Sequence, residues 1–230
     1  MCGRYTLASP NPAEVRARFN IAESIEVRRR FNVAPGDDVL AVTTDKQGTP
    51  RGDILRWGLV PSWANGPDTG LKMINARVET LAERPAYRRP FERWRCLIIA
   101  DGFYEWQARA SAPKQPFHIT CEDSALFAFA GLWSIWHAPD GGTLRSCTIV
   151  TTAANSAIAQ LHDRMPVILA PEFESAWLDG STPPERLYEI LAEPAPRAAL
   201  RPVGTAVNAA RYDGPECLAP PLEDAQTALF

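Results

Sequence analysis

Short apolar or alternating runs, most of them bounded by Gly, Pro, Asp or Asn, constrain this chain most. They recur at residues 39–43, 54–59, 96–100, 117–120, 126–133 and 147–151, and runs of that length with that punctuation read as strands. Helical spacing is sparser. It is found at 12–20, where Val15 and Phe19 stand four apart, at 155–161, from Pro171 onward and at 184–191, with prolines suited to the first helical turn. Between the first helix and the first of these strands, the basic residues Arg28, Arg29 and Arg30 lead into an extended stretch, 31–35, that reads as a loop carrying an odd polar residue, Asn32. The mixture predicts an α+β fold: a single compact domain with a strongly bent, barrel-like β core and peripheral helices. The domain is expected to span 1–212. A Pro-containing tail, 213–230, is expected to be partly disordered.

A length of 230 residues with 46% apolar and 22% charged side chains suits one globular domain. No apolar run approaches the roughly 20 residues that span a bilayer, and the opening MCGRYTLASP lacks the basic and apolar regions of a signal peptide. The expected location is the cytoplasm, with no membrane partner. The five cysteines (Cys2, Cys96, Cys121, Cys147, Cys217) are scattered and never form a Cys-x-x-Cys pair, so neither a disulfide framework nor a zinc knuckle is expected. Nor do His118, His137 and His162 fall at metal-ligand spacing. No metal and no cofactor are expected. A formal charge of −3 argues against a protein that coats nucleic acid by net charge alone; any such contact must be a local basic cleft.

Cys2 is the unusual residue. Removal of Met1 would leave a cysteine with both a free α-amine and a thiol, whose ordinary pKa values of about 8 and about 8.5 make both usable nucleophiles near neutral pH. Aldehydes are their natural partner: the amine forms a Schiff base and the thiol closes a five-membered thiazolidine. Position alone does not separate this from an ordinary N-terminal cysteine. Three segments place titratable groups at strand ends: 75–80 (NARVET), 101–106 (DGFYEW) and 162–166 (HDRMP). Glu105 lies between Tyr104 and Trp106, where desolvation would raise its pKa toward proton-transfer duty, although a surface glutamate on an alternating strand fits the same pattern. His162 can shuttle protons or simply cap a loop. Trp57, Trp94, Trp133, Trp136 and Trp177 sit in apolar or amphipathic stretches and are assigned to the core.

Six segments, MCGRY, 32–35 (NVAP), 56–63 (RWGLVPSW), 75–80, 100–106 (ADGFYEW) and 162–166, together resemble the SRAP family, the SOS response-associated peptidases. The resemblance runs from residue 2 to about 210. It implies a β-rich core with the active site at the N-terminus, where Cys2 crosslinks to the ring-opened aldehyde of an abasic site in single-stranded DNA during the DNA-damage response. It further implies that Glu105 assists ring opening, Schiff-base chemistry and crosslink reversal, that His162 acts as acid or base, and that Asn75 holds the N-terminal group. Arg4, Arg77 and Arg164 would neutralise phosphates, Pro35 and Trp63 would face the flanking bases, and Thr151 would be a lesser phosphate contact. The enzyme class so implied is a DNA-crosslinking or lyase activity with an autopeptidase activity on Met1, carried by a monomer.

Two rivals remain at this level. An N-terminal cysteine nucleophile amidohydrolase of glutaminase or peptidase type also begins Met-Cys-Gly and would use the cysteine with its own amine as base. A non-enzymatic single-strand binding module would use the arginines and Trp63 but leave Cys2 without a task.

Overall fold

The computed structural model describes residues 2–110 and 112–221. In chain order the elements are β1 (Tyr5–Leu7), α1 (Pro12–Arg18), β2 (Arg30–Val33), β3 (Asp38–Thr44), β4 (Pro50–Trp57), β5 (Asn75–Arg77), α2 (Pro85–Arg93), β6 (Arg95–Ala100), β7 (Gly102–Gln107), β8 (Gln115–Cys121) and β9 (Phe127–His137). They continue with β10 (Thr143–Ala153), α3 (Ser156–Ala159), β11 (Arg164–Pro166), β12 (Ile168–Leu169), α4 (Pro171–Leu178), α5 (Pro184–Ala192) and β13 (Ala198–Pro202).

Five strands close a ring. β3 pairs antiparallel with β4 and β6, β6 with β9, and β9 with β10, while β10 returns to β4 in parallel through Ser146↔Arg56 and Cys147↔Trp57. The expected barrel-like core is therefore present, as a closed barrel with helices around it. A second, fully antiparallel sheet runs β13-β8-β7-β1-β2.

Alternation along the barrel strands explains why they read as apolar runs. Leu40, Val42, Leu97, Ile99, Ala128 and Ala130 face a core shared with Val15, Phe91, Trp177 and Leu187 of the helices. Val39, Ala41, Cys96, Ile98 and Phe129 face a second core shared with Cys2, Tyr5, Phe103 and Ile119 of the other sheet. A strand buried on both faces has no polar face to show. Arg95 ties the helices down: its guanidinium donates to the carbonyls of Phe91 and Glu92 at the end of α2 and of Trp177 and Asp179 at the end of α4, at 2.5–2.8 Å. A cation there satisfies carbonyls that a helix end leaves unpaired.

Two assignments change. Residues 30–33 form a strand, so Asn32 is a buried strand residue and not part of a loop. Trp57, Trp136 and Trp177 are core, but Trp94 and Trp133 are half-buried and packed on each other at 5.7 Å. All five cysteines are free and buried. Of the tail expected from 213 onward, the described part packs on the domain: Asp213 accepts from the Phe31 and Asn32 amides at 2.6 and 2.7 Å, and Cys217 is buried with Tyr104, Val203 and Val207. Residues 222–230 lie outside the described residues.

Candidate active site

The N-terminus meets both sheets. β1 is the inner strand between β2 and β7, with Tyr5 opposite Phe103 and Thr6 opposite Gly102. The Tyr104 amide donates to the Arg4 carbonyl at 3.0 Å, and the same antiparallel register brings Glu105 alongside Gly3. From the other side, β5 lies parallel to β10 through Asn75↔Ile149, and Asn75 Nδ2 donates to the Cys2 carbonyl at 2.9 Å. Tyr87 of α2 donates its hydroxyl to the Asn75 carbonyl at 3.2 Å. Cys2 is thus held between β7 and β5 and is 0% exposed.

Electrostatics follow from that burial. Desolvation pushes the Cys2 thiol well above the ordinary cysteine range, and Glu105 nearby adds to the rise. The thiol stays protonated at rest. Glu105, 3% exposed, is itself raised above the usual carboxylate range by burial, against the opposing pull of the amino-terminal charge and of His162. His162 follows α3. Its Nδ1 accepts the Arg164 amide at 2.9 Å and stands 2.7 Å from Asp163 Oδ1. Asn75 and Glu105, far apart in sequence, therefore converge on Cys2, with His162 close enough to Glu105 to act on its charge.

The expected phosphate and base contacts divide. Arg77 and Trp63 are exposed, Trp63 at 64%, and Pro35 is half-buried. The loop that carries Trp63 is fastened at its base and near its tip. Gly58, at φ +124°, passes so close to Gly70 that a Cβ there would lie 2.6 Å from the Gly70 carbonyl oxygen, and Trp136 Nε1 donates to the Ala64 carbonyl at 2.7 Å. Arg164, by contrast, is engaged: it donates to both carboxylate oxygens of Glu79 at 2.6 and 3.0 Å and to the Thr151 carbonyl at 2.7 Å. Thr151 enters through that carbonyl, because its side chain is buried. Arg4 donates Nη1 to Asn32 Oδ1 at 3.1 Å and to the Val207 carbonyl at 2.9 Å.

Sequence reasoning gave Asn32, Thr6, Asp101, Gly102 and His118 no part in supporting the site. Asn32 accepts from Arg4 and donates Nδ2 to the carbonyls of Ala209 and Tyr212 at 3.1 and 2.7 Å, joining residues 209–212 to the residue two beyond Cys2. Its signal was a polar side chain in an apolar run. Thr6 donates to Asp101 at 2.6 Å and lies 3.0 Å from His118 Nε2. Only glycine fits between them, since a Cβ on Gly102 would sit 2.1 Å from that nitrogen. This clamp stitches β1, β7 and β8 a few residues from Cys2 and Glu105. Among the described residues no group of three or more His, Cys, Asp or Glu side chains could hold a metal ion, and no helix is long and apolar enough to cross a membrane.

Comparison with known proteins gives concordant matches. A family model described as SOS response associated peptidase (SRAP) matches residues 1–210. The abasic site processing protein YoqW of Bacillus subtilis (strain 168) is 41% identical over 223 residues, covering 95% of this chain and 99% of that protein. The abasic site processing protein YoaM of the same organism is 44% identical over 195 residues, covering 83% of this chain and 85% of that one. A crystal structure of a protein from Bacteroides thetaiotaomicron shares the fold at a TM-score of 0.84 and 21% identity, over 96% of this chain and 100% of that one.

Proposed function

The chain belongs to the SOS response-associated peptidase (SRAP) family, and on that premise we propose that it recognises abasic sites in single-stranded DNA and captures them covalently through Cys2. The observation that carries this reading is the cradle of Cys2: its carbonyl is held by Asn75 at 2.9 Å while the buried, pKa-raised Glu105 runs alongside on β7. A carboxyl with a raised pKa holds or releases a proton near neutral pH, as ring opening of a deoxyribose hemiacetal requires.

The course runs as follows. Met1 is removed and the Cys2 amine becomes free. Glu105 promotes opening of the sugar to its aldehyde, and the amine condenses with it, expelling one water. The Cys2 thiol then adds across the imine, its sulfur bonding to carbon and its proton passing to nitrogen, to give the thiazolidine. The competing path is β-elimination: the imine acidifies the neighbouring carbon, and loss of that proton expels the 3′ phosphate. Ring closure suppresses this and shields the lesion from cleavage. His162 serves as the second acid or base, Arg4, Arg77 and Arg164 face phosphate, Thr151 supports Arg164, and Pro35 and Trp63 face the flanking bases. The reading has the protein act as a cytoplasmic monomer without metal or cofactor, clear its own Met1, and release the crosslink through Glu105.

Cys2→Ala tests the scheme, because it keeps the amine and removes the thiol. On a single-stranded oligonucleotide with one abasic site, the variant should nick the strand and leave no adduct that survives denaturation. Finding neither nicking nor a borohydride-trapped imine would overturn the sequence of steps.

A further inference from the structure

The outer face of α2 is basic and takes no part in the cradle described above. The helix buries Tyr87, Pro90 and Phe91 and leaves Arg88, Arg89 and Arg93 exposed, with Arg84 exposed just before it. Arg84–Arg88 and Arg89–Arg93 are i,i+4 pairs of like charge, an arrangement that costs an isolated helix a few tenths of a kcal/mol. Little offsets it. Arg88 meets Glu92 only at 3.5 Å, Arg93 donates to the Gly180 carbonyl at 3.3 Å, and Arg89 lies over the Trp94 ring at 4.9 Å. Between residues 77 and 93 five arginines stand against three glutamates, and one of these, Glu79, is taken by Arg164. The chain as a whole carries −3, so this is a local concentration of positive charge.

The buried side of the same helix reaches the site. Tyr87 donates to the Asn75 carbonyl, and the Asn75 side chain holds Cys2. Burial raises the Tyr87 hydroxyl pKa and the Arg84 charge works against that rise. At the other end, about 13 Å on for nine residues at 1.5 Å each, the helix runs into Trp94, which stacks on Trp133 at 5.7 Å and 32°. Arg88, Arg89 and Arg93, with Glu83 and Glu92 among them, line a shallow groove along the helix. A basic surface with an aromatic ring at one end is how single strands are held without regard to sequence.

We propose that α2 is a second phosphate track, on which a DNA strand engaged at Cys2 continues with its backbone against Arg84 and Arg88. This rests on the reading of the Cys2 site as a single-strand DNA site. The track gives the protein a longer footprint than the lesion alone, and an affinity that grows with strand length.

The test is the double variant Arg84→Glu/Arg88→Glu, both positions exposed, measured by fluorescence anisotropy on single strands of about 5 and about 20 nucleotides across a salt series. Each strand carries a stable abasic analogue that cannot crosslink. Affinity for the long strand should fall about tenfold and its salt slope should flatten by about 1.4, the release expected for two phosphates on single strands. Affinity for the short strand should stay within twofold. Equal losses on both lengths, or none on either, would overturn the track. The control Arg186→Glu/Arg197→Glu carries the same charge change on exposed residues elsewhere, and an equal loss there would overturn it too. Crosslinking of wild type to a short strand with a true abasic site reads the Cys2 site separately: its failure removes that site, whereas the length-dependent loss concerns α2 alone.

Discussion

Asp53 on the barrel strand β4 and Glu105 beside the N-terminus are carboxylates buried to nearly the same depth, and their surroundings push them in opposite directions. Burial raises Asp53, but hydrogen bonds from Arg145 and Thr43, with Arg145 and Arg51 close by, outweigh it and leave the group below its ordinary value. Arg145 reaches both of its oxygens, at 2.5 and 2.8 Å, and also stacks on Trp133 at 4.7 Å. At Glu105 burial dominates, against the opposing pull of the amino-terminal charge and of His162. The same chemical group is held below its ordinary pKa in the barrel and raised above it at the site. Only the second arrangement suits proton transfer.

Asp53→Asn should break the first half of that contrast. Removing the charge leaves Arg145 facing a neutral amide in a largely buried place, and about 3 kcal/mol of stability should go, read by urea denaturation, with crosslinking per folded molecule unchanged. A slower reaction would mean that the barrel charge cluster reaches the site.

His118 asks whether the polar groups behind the site serve stability as Asp53 does. Burial lowers its pKa from 6.5 to about 4, with Arg201 acting in the same direction, so the native ring stays neutral while the unfolded ring protonates. Its contribution is fully present above pH 6.5 and is lost as pH falls toward about 4, at a cost of up to ~3 kcal/mol. His118→Gln should flatten that part of the stability–pH curve; an unaltered curve would exclude His118 as its source.

Glu105→Gln sharpens the second half. Crosslinking should slow about a hundredfold, the usual worth of a positioned acid or base. Because the native carboxyl is raised, the folded protein holds its proton over a window above the ordinary glutamate value where the unfolded chain has lost it. Stability is therefore complete below that window and declines as pH climbs through it. The glutamine variant escapes the decline, so its Tm should rise relative to wild type as pH climbs through that window. A lower Tm would place Glu105 with Asp53 as a structural group. Smallest of all, Trp63→Ala should weaken single-strand binding about tenfold, near the low end for loss of one base-stacking ring, with no change in the rate of ring closure; tighter or equal binding would remove Trp63 from the interface.

The barrel was legible because its strands are bounded apolar runs, and α1, α4 and α5 because each opens on a proline with apolar spacing behind it. α2 was not. Its arginines dilute the apolar period, and Pro90 stands inside the helix, where sequence rules place a break. Strand β1 is three residues long, too short to carry a period, yet it positions the whole site. Cys2, Asn75, Glu105 and His162 could be named from their motifs, but their meeting depends on pairings such as Tyr5↔Phe103 and Asn75↔Ile149 that join distant segments. The engagement of Arg164 by Glu79 and the burial of Thr151 were beyond sequence for the same reason: each is fixed by a partner strand.

The central claim is that Cys2 becomes an N-terminal nucleophile that ends in a thiazolidine, and intact mass spectrometry tests it most directly. Wild-type protein incubated with a single-stranded oligonucleotide carrying one abasic site should give a species at the summed mass of Met1-free protein and DNA less one water, stable to denaturation and absent with Cys2→Ala. Met1-free protein that yields no adduct, or an adduct that persists without the Cys2 thiol, would contradict the account.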